Sequence, residues 1–238
     1  MKRFISVSTA LLLFSLCLFG LFGCGKEETE DDVKKFGVAD GSLYIYANSV
    51  IKDCSIFDFD TSRYDAEEYR GFLEEEISAY NNSAAFVPQK EETDEKGNVI
   101  EPPVTYTKPV EISELSAKDK ALNVQLLYAT PEDFFGWQKH FDAEAFSKRG
   151  GSIIETGKLV DNTAVQGMNF VDRKGEALDM EKLLKKKTAS GVRYVTIDVE
   201  CVLFGDGNIL AYTEGAELDA ENNNFHVKGG QKITVLYQ

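Results

Sequence analysis

The stretch RYVTIDVECVL, residues 193–203, decides the fold class, because apolar and polar positions alternate along it. Alternation with a period of two predicts a β-strand that turns one face toward the core. We expect one face to carry Val195, Ile197, Val199, Cys201 and Leu203, and the other to carry Tyr194, Thr196, Asp198, Glu200 and Val202. The stretch therefore predicts an antiparallel sheet with one covered face.

Further strands are predicted on both sides of this stretch from β-branched and aromatic content. They cover residues 43–46, 54–59, 209–212, 225–227 and 233–237. A hairpin is predicted from residues 110–112 and 121–129, with its turn at 117–120. In its second strand, Leu122, Val124, Leu126 and Tyr128 alternate with Asn123 and Gln125, which is typical of a β-strand.

Three amphipathic helices are predicted. The first begins at Asp65, which with Glu68 forms a capping box, and ends at Asn81-Asn82. Its apolar stripe comprises Tyr69, Phe72, Leu73, Ile77 and Tyr80. The second begins at Thr130-Pro131, and the third covers residues 180–187 after a cap at Asp179.

Strands and helices follow one another in runs and not in strict alternation, which is typical of the α+β class. We therefore expect a mainly antiparallel sheet with two to three amphipathic helices packed on it. The aromatic residues of the second helix allow two interpretations, a sugar-stacking platform or core packing, and their helical spacing favours the core. They are Phe134, Phe135, Trp137 and Phe141, of which Phe135 is expected to face outward.

Residues 83–109 are polar, rich in proline and acidic, with a turn at Lys96-Gly97-Asn98. The simplest interpretation is a long irregular loop. Loops of this length are uncommon in compact domains and are either functional or disordered.

The amino-acid composition limits the classes to which the protein can belong. The chain has 238 residues, 43% of them hydrophobic, with 16 Phe and 10 Tyr, which indicates a folded core. Its formal charge is −14. Acidic proteins repel phosphate backbones and anionic lipid, so nucleic acid is not an expected partner, and membrane attachment would need a covalent anchor.

The first 23 residues predict an export signal. Met1-Lys2-Arg3 is followed by an apolar run over residues 4–22, after which the sequence turns polar at Lys26. An uncleaved transmembrane helix is the alternative, since the run is long enough to span a bilayer. The position of Gly23-Cys24 at the boundary between apolar and charged sequence favours cleavage.

The stretch Leu21-Phe22-Gly23-Cys24 resembles the lipobox of bacterial lipoproteins. The resemblance implies that the bond before Cys24 is cut and that the cysteine sulfur carries a diacylglycerol. Gly23 meets the requirement for a small residue before the cut, whereas Phe22 is bulkier than the family's usual residue. The layout is also similar to small uncharacterised surface lipoproteins of Gram-positive bacteria.

The predicted organisation is a signal peptide over residues 1–23, an acidic tether over 24–40 and a single α+β domain over 41–238. Like charges in the tether keep it extended. After removal of Cys17 and lipidation of Cys24, Cys54 and Cys201 remain. They form either a disulfide or two separate buried thiols, and the second arrangement is preferred.

No recognisable catalytic or metal motif is present, so we predict no catalytic residue, no metal ligand and no cofactor. Asp58, Asp60 and Ser62 resemble the start of a calcium loop, but Arg63 and Tyr69 stand where glycine and a bidentate glutamate are required. His140 and His226 are isolated, and carboxylate pairs such as Asp198 with Glu200 are expected on solvated faces.

These observations predict a lipid-anchored protein of the cell membrane, on its extracytoplasmic face. We expect a non-catalytic binding or interaction module for an unknown extracytoplasmic protein or glycan; whether it is an enzyme stays open, with no enzyme preferred. The alternatives are a substrate-binding lipoprotein of a transporter and a cell-envelope hydrolase.

Overall fold

The computed structural model describes residues 35–88, 91–94, 96–143, 153–186, 188–205, 207–219 and 223–238. The predicted signal peptide, Cys24 and residues 24–34 of the predicted tether lie outside these residues.

The described chain contains short strands and four helices of very different length. The strands are β1 Ser42–Ile45, β2 Ile51–Asp58, β3 Glu92–Thr93, β4 Val99–Ile100, β5 Val110–Lys118, β6 Ala121–Tyr128, β7 Ile154–Lys158, β8 Val171–Asp172, β9 Arg193–Ile197, β10 Cys201–Gly205, β11 Ile209–Tyr212, β12 Glu217–Asp219, β13 Asn224–Val227 and β14 Ile233–Tyr237. The helices are α1 Ala66–Ser83, α2 Pro131–Phe141, α3 Thr163–Gln166 and α4 Met180–Leu184. The α+β class with a mainly antiparallel sheet core is confirmed.

Contacts divide the chain into two compact units. Among the described residues, the first unit comprises those from 35 to 42 and from 50 to 143, and the second comprises those from 43 to 49 and from 153 to 238. A domain can contain more than one such unit, so the single domain predicted for residues 41–238 stays a prediction.

In the first unit, β2, β6 and β5 lie side by side and pair antiparallel. The predicted hairpin is confirmed and is longer than expected: β5 and β6 meet at a two-residue turn, Asp119-Lys120, in which both φ angles are positive at 45° and 68°. Paired positive φ angles match the right-handed twist of the strands that the turn connects.

Both long helices of this unit begin where the sequence predicts. The Asp65 carboxylate accepts a hydrogen bond from the Glu67 amide, and the Thr130 hydroxyl accepts one from the Asp133 amide. Each cap satisfies an amide that the first helical turn leaves without a partner. Helix α1 buries Tyr69, Leu73, Ile77 and Tyr80, packs against β5 and contacts α2.

Asn81 does not stop helix α1, which continues to Ser83. Its side chain instead joins the helix to the first residue of β5. The Asn81 amide nitrogen donates to the Val110 carbonyl at 2.9 Å, and the Val110 amide donates to the Asn81 side-chain oxygen at 3.0 Å. Asn81, which was predicted to end the helix, thus links α1 to β5 through two hydrogen bonds.

In the second unit, β12, β13, β10 and β1 lie side by side in that order. A separate five-stranded sheet has the order β7-β9-β14-β11-β8, and its pairs are antiparallel. Helices α3 and α4 contribute Val165 and Leu183 to an apolar cluster that also contains Leu159, Phe170, Val192, Tyr194, Ala211 and Leu236. The Asp179 cap of α4 is confirmed, although the helix ends at Leu184.

The single strand predicted over residues 193–203 is wrong. The chain breaks at Asp198-Val199-Glu200, so that β9 joins the five-stranded sheet while β10 pairs with β13. The Asp198 carboxylate accepts a hydrogen bond from the Ile153 amide at 2.6 Å, and its carbonyl accepts one from the Gly230 amide. Tyr194, Thr196 and Val202 are also buried, so the expected uncovered face is absent from both segments.

Candidate interaction surface

The segment predicted as an irregular loop over residues 83–109 contains a hairpin. Strands β3 and β4 pair antiparallel, with Thr93 opposite Val99. The Asp94 carboxylate closes the turn by accepting hydrogen bonds from the Lys96 amide at 2.8 Å and the Asn98 amide at 2.9 Å. These bonds, with that from the Asn98 side chain as the largest contribution, lower the pKa of Asp94.

Exposed apolar side chains concentrate on this hairpin and on the chain that leads to it. Val87 is 64% exposed, Val99 56%, Ile100 49% and Phe86 39%. In the part of the chain that the structure describes, the other large apolar residues of this kind are Ile153 and Val160 in the second unit. We call Phe86, Val87, Val99 and Ile100 the apolar surface.

The C-terminal end of the same segment is fixed to the first unit. One oxygen of the Glu111 carboxylate accepts hydrogen bonds from the Thr107 amide, the Thr107 hydroxyl and the Lys108 amide, at 2.7–2.8 Å. The ring of Tyr106 meets that of Phe86 edge to face, with centroids 6.0 Å apart. These contacts fix residues 106–111 and the ring of Phe86.

Charges around the apolar surface are mainly negative. Glu91, Asp94 and Glu101 are exposed, as are Lys96 and Lys108. Over residues 86–108 the sequence contains the acids Glu91, Glu92, Asp94, Glu95 and Glu101 against Lys90, Lys96 and Lys108.

A half-buried carboxylate in the same unit was not predicted from the sequence. Asp53 on β2 accepts a hydrogen bond from the Tyr128 hydroxyl on β6. Burial raises the pKa of Asp53 to about 7. A pKa in this range suits acid–base chemistry but also occurs in structural pairs. The sequence signal was faint, since Asp53 is one of several polar residues in β2, with Lys52, Ser55 and Asp58.

A polar network lies on β5 and β6. Glu114 accepts hydrogen bonds from the Asn123 amide nitrogen at 3.2 Å, the Gln125 amide nitrogen at 3.2 Å and the Ser116 hydroxyl at 2.8 Å. Both Asn123 and Gln125 are buried. The Asn123 side-chain oxygen has no hydrogen-bond partner among the described residues.

A second polar cluster lies at the edge of the five-stranded sheet. Tyr194 donates its hydroxyl to the Glu155 carboxylate at 2.9 Å, and the Asn162 amide nitrogen donates to the Tyr194 oxygen at 2.7 Å. Asn162 also caps α3 through the Val165 amide. The cluster thus joins β7, β9 and the start of α3. This structural role is sufficient to explain why these polar residues lie together.

The residues with calcium-like spacing form a turn ahead of helix α1. The Asp60 carboxylate accepts hydrogen bonds from the Ser62 amide and hydroxyl at 3.0 and 2.6 Å, and it pairs with Arg63 at 3.3 Å. Within the described ranges, no group of three or more His, Cys, Asp or Glu side chains is placed to hold a metal ion.

The two histidines lie in different units. His140 on α2 stacks on Trp137, meets Tyr80 edge to face and lies 3.6 Å from the Glu76 carboxylate. His226 is a half-buried residue of β13. In helix α2, Phe134 and Trp137 are fully buried, in agreement with the core interpretation, while Phe135 is half-buried against Phe134.

Cys54 and Cys201 are free and buried, as the preferred arrangement predicts. Burial raises the pKa of the Cys54 thiol to about 12 and raises that of Cys201 still further. Cys24, the predicted lipid-attachment residue, lies outside the described residues. None of the helices in the described ranges has the length and apolar character needed to cross a membrane.

No protein-family model, curated protein or solved structure matches the chain.

Proposed function

We propose that the protein is a lipoprotein anchored to the cell membrane through Cys24, with its folded part outside the cytoplasm acting as a non-catalytic binding or interaction module. The observation that carries the proposal is the sequence Leu21-Phe22-Gly23-Cys24 at the end of an apolar run. Two acyl chains on Cys24 would hold the protein stably, since each buried methylene contributes about 0.8 kcal/mol.

The binding role is supported by the apolar surface. Phe86, Val87, Val99 and Ile100 are exposed, and exposed apolar side chains are often found at interaction sites, because leaving such area in water is unfavourable. The partner is an extracytoplasmic protein or glycan, and the charge of −14 disfavours nucleic acid.

One observation favours a cell-envelope hydrolase as a second candidate. Asp53, with a pKa of about 7, has the proton affinity of a general acid near neutral pH. Its carboxylate is, however, engaged by the hydroxyl of Tyr128, which is 1% exposed. A structural role for the Asp53–Tyr128 hydrogen bond, which joins β2 to β6, is therefore a simpler explanation than a role in catalysis.

Anchoring is tested by metabolic labelling with a clickable fatty acid in a Gram-positive host, followed by mass spectrometry of the N-terminal peptide. We expect the wild-type protein to carry the label on Cys24 and to fractionate with membranes. Cys17→Ala is the matched control and should be labelled equally.

Cys24→Ala should lose the label but keep its apolar segment, so its fractionation alone is uninformative. A chain in which residues 1–24 are replaced by a signal for ordinary signal peptidase should be released into the medium in folded form. An unlabelled wild-type protein, or a released protein that binds lipid vesicles directly, would contradict the proposal.

A further inference from the structure

We infer that Met168 and Met180 form a reversible, peroxide-sensitive modification site that controls how firmly helices α3 and α4 pack on the five-stranded sheet. The two residues are the only methionines of the chain besides Met1. The inference goes beyond the proposed function and does not depend on the lipid anchor, since every contact on which it rests lies in the second unit.

Both methionines lie at the open end of one short hairpin. The Leu178 amide donates to the Phe170 carbonyl at 2.9 Å, and the next pair of residues toward the turn forms an antiparallel bridge. Met168 precedes Phe170 by two residues, and Met180 follows Leu178 by two. Two residues that are separated in sequence therefore lie at the same end of the hairpin.

Local hydrogen bonds fix the backbone at both positions. The Met168 amide donates to the Val165 carbonyl at 3.1 Å, at the end of α3. Met180 is the first residue of α4, and the preceding Asp179 caps this helix by accepting a hydrogen bond from the Lys182 amide at 2.9 Å. Each methionine side chain thus projects from a defined backbone.

Both side chains are half-buried and pack against the apolar cluster of the second unit. This cluster joins α3 and α4 to three strands of the five-stranded sheet, β9, β11 and β14. Among the described residues, the other half-buried side chains packed against it are Leu178, Leu184 and Leu210. Met168 and Met180 are therefore the positions at which an oxidant in water meets a thioether that contacts this core.

A peroxide oxidises a thioether without the help of a catalytic group. The sulfur lone pair forms a bond to one peroxide oxygen, the O–O bond breaks, and the second oxygen leaves as water after proton transfer. The sulfur loses two electrons and the peroxide gains them, so hydrogen peroxide is the only co-reactant. The product is a sulfoxide, which a thiol-dependent reductase returns to the thioether.

Cysteine does not compete for the oxidant in the part of the chain that the structure describes. Cys54 and Cys201 are 0% and 7% exposed, and burial raises the pKa of both thiols, that of Cys54 to about 12. Peroxides react readily with thiolates and not with thiols. A thioether has no proton to lose, so its reactivity depends mainly on access.

Oxidation replaces an apolar side chain with a polar one. The sulfoxide oxygen accepts hydrogen bonds, whereas the aliphatic side chains of the cluster offer no donor, so the oxidised side chain moves toward water. Helices α3 and α4 have four and five residues, and helices of this length are not stable without packing. We therefore expect both helices to loosen while the strands of the sheet stay paired.

The test treats the full chain, in peroxide-free detergent micelles, with dilute hydrogen peroxide and maps the products by mass spectrometry. We expect one added oxygen atom on each of the two methionines, none on Cys54 or Cys201, and a Tm that is lower by about 2–8 °C. Deuterium exchange should become faster at the amides of residues 163–168 and 180–185 and should stay unchanged in β6.

Leucine variants separate oxidation of these residues from damage elsewhere. Met168→Leu combined with Met180→Leu conserves volume and removes both sulfurs, so the double variant should have nearly the wild-type Tm and keep it in peroxide. Val160→Met in this background is the matched control, because it adds a methionine at a 41% exposed residue outside the cluster. This methionine should be oxidised without a change in Tm.

Reduction of the oxidised wild-type protein by methionine sulfoxide reductases with dithiothreitol should restore its Tm, which tests the site without any substitution. Absence of added oxygen under conditions that oxidise free methionine, or oxidation that leaves both the Tm and the exchange unchanged, would overturn the inference. An equal loss of Tm in the double leucine variant would do the same, since the damage would then lie elsewhere. None of these readouts involves the fatty-acid label on Cys24, so failure of the anchoring proposal is a separate result.

Discussion

Tyr128 donates its hydroxyl to Asp53 across strands β6 and β2, with the Tyr128 oxygen 3.1 Å from Asp53 Oδ2. The two residues are diagonal neighbours, because Tyr128 lies opposite Ile51 and Asp53 lies opposite Leu126. Burial raises the pKa of Asp53 to about 7, although the hydrogen bond from Tyr128 by itself lowers this pKa. Burial, and then the nearby carboxylate, also raise the pKa of Tyr128.

Asp53 should make the first unit less stable as the pH rises. Since its pKa is higher in the folded state than the ordinary 3.8, the folded state binds the proton more tightly. The contribution is fully present below about pH 4 and is lost as the pH rises toward and through about 7. It amounts to at most about 4 kcal/mol. Asp53→Asn should remove this dependence in urea unfolding measured from pH 4 to 8.

Asp60→Asn is the control of opposite sign. Hydrogen bonds from the Ser62 side chain and amide lower the pKa of Asp60, so its contribution is present above its ordinary pKa and is lost as the pH falls. An Asp53→Asn variant whose stability falls between pH 4 and 7 as steeply as that of wild type would contradict the assignment.

Tyr80 on α1 packs directly against Gly136 on α2. A Cβ atom added at Gly136 would overlap the Tyr80 hydroxyl oxygen and would lie 3.3 Å from its Cζ atom. Gly136→Ala should therefore destabilise the protein by about 1–2 kcal/mol, because overpacking outweighs the higher helix propensity of alanine.

The Tyr80→Phe background should rescue most of this loss, since it removes the overlapping oxygen. Gly71→Ala on α1 is the matched control: an added Cβ meets no atom within 4 Å, and we expect stabilisation by up to about 1 kcal/mol. Thermal unfolding of the set measures both effects. Additive changes from Gly136→Ala and Tyr80→Phe would show that the helices do not approach in this way.

Helix caps could be predicted from the sequence, because they depend on neighbouring residues. Which faces of a sheet are covered by distant parts of the chain could not be predicted. The caps at Asp65 and Thr130 depend on residues two or three positions away, and both are confirmed. The burial of Asn123 and Gln125 depends on what covers a whole sheet face. Alternation with polar residues indicates the two faces of a strand but does not indicate that both are covered.

The break at Asp198-Val199-Glu200 illustrates the same limit. The alternation of side chains continues through it, yet the Asp198 carboxylate binds the Ile153 amide 45 positions away and the chain changes partner strands. The turn of the hairpin in residues 92–100, by contrast, is indicated by neighbouring residues in the sequence. Asp94, Gly97 and Asn98 supply an acceptor, a φ of +82° and a second polar contact, which favour a tight turn.

Cys54 and Cys201 should react slowly with alkylating agents. A rise in the pKa of Cys54 from 9.0 to about 12 reduces its thiolate fraction at pH 8 about a thousandfold, and burial limits access further. Maleimide labelling followed by mass spectrometry should modify both residues only after unfolding. Ser190→Cys, at an exposed residue, should react at once in the folded protein. A linked Cys54–Cys201 peptide pair would contradict the assignment of two free thiols.

Thr196 and Thr234 lie opposite each other on β9 and β14, and their hydroxyl oxygens are 2.8 Å apart in the buried part of the five-stranded sheet. Thr196→Val should leave the Thr234 hydroxyl buried without this partner, at a cost of about 1–3 kcal/mol, and Thr234→Val should do the same to Thr196. The double variant replaces both hydroxyls with methyl groups, so its loss should be smaller than the sum of the single losses. Urea unfolding midpoints at a common denaturation slope give the interaction energy of the pair. Strictly additive losses would mean that the two hydroxyls do not bind each other in solution.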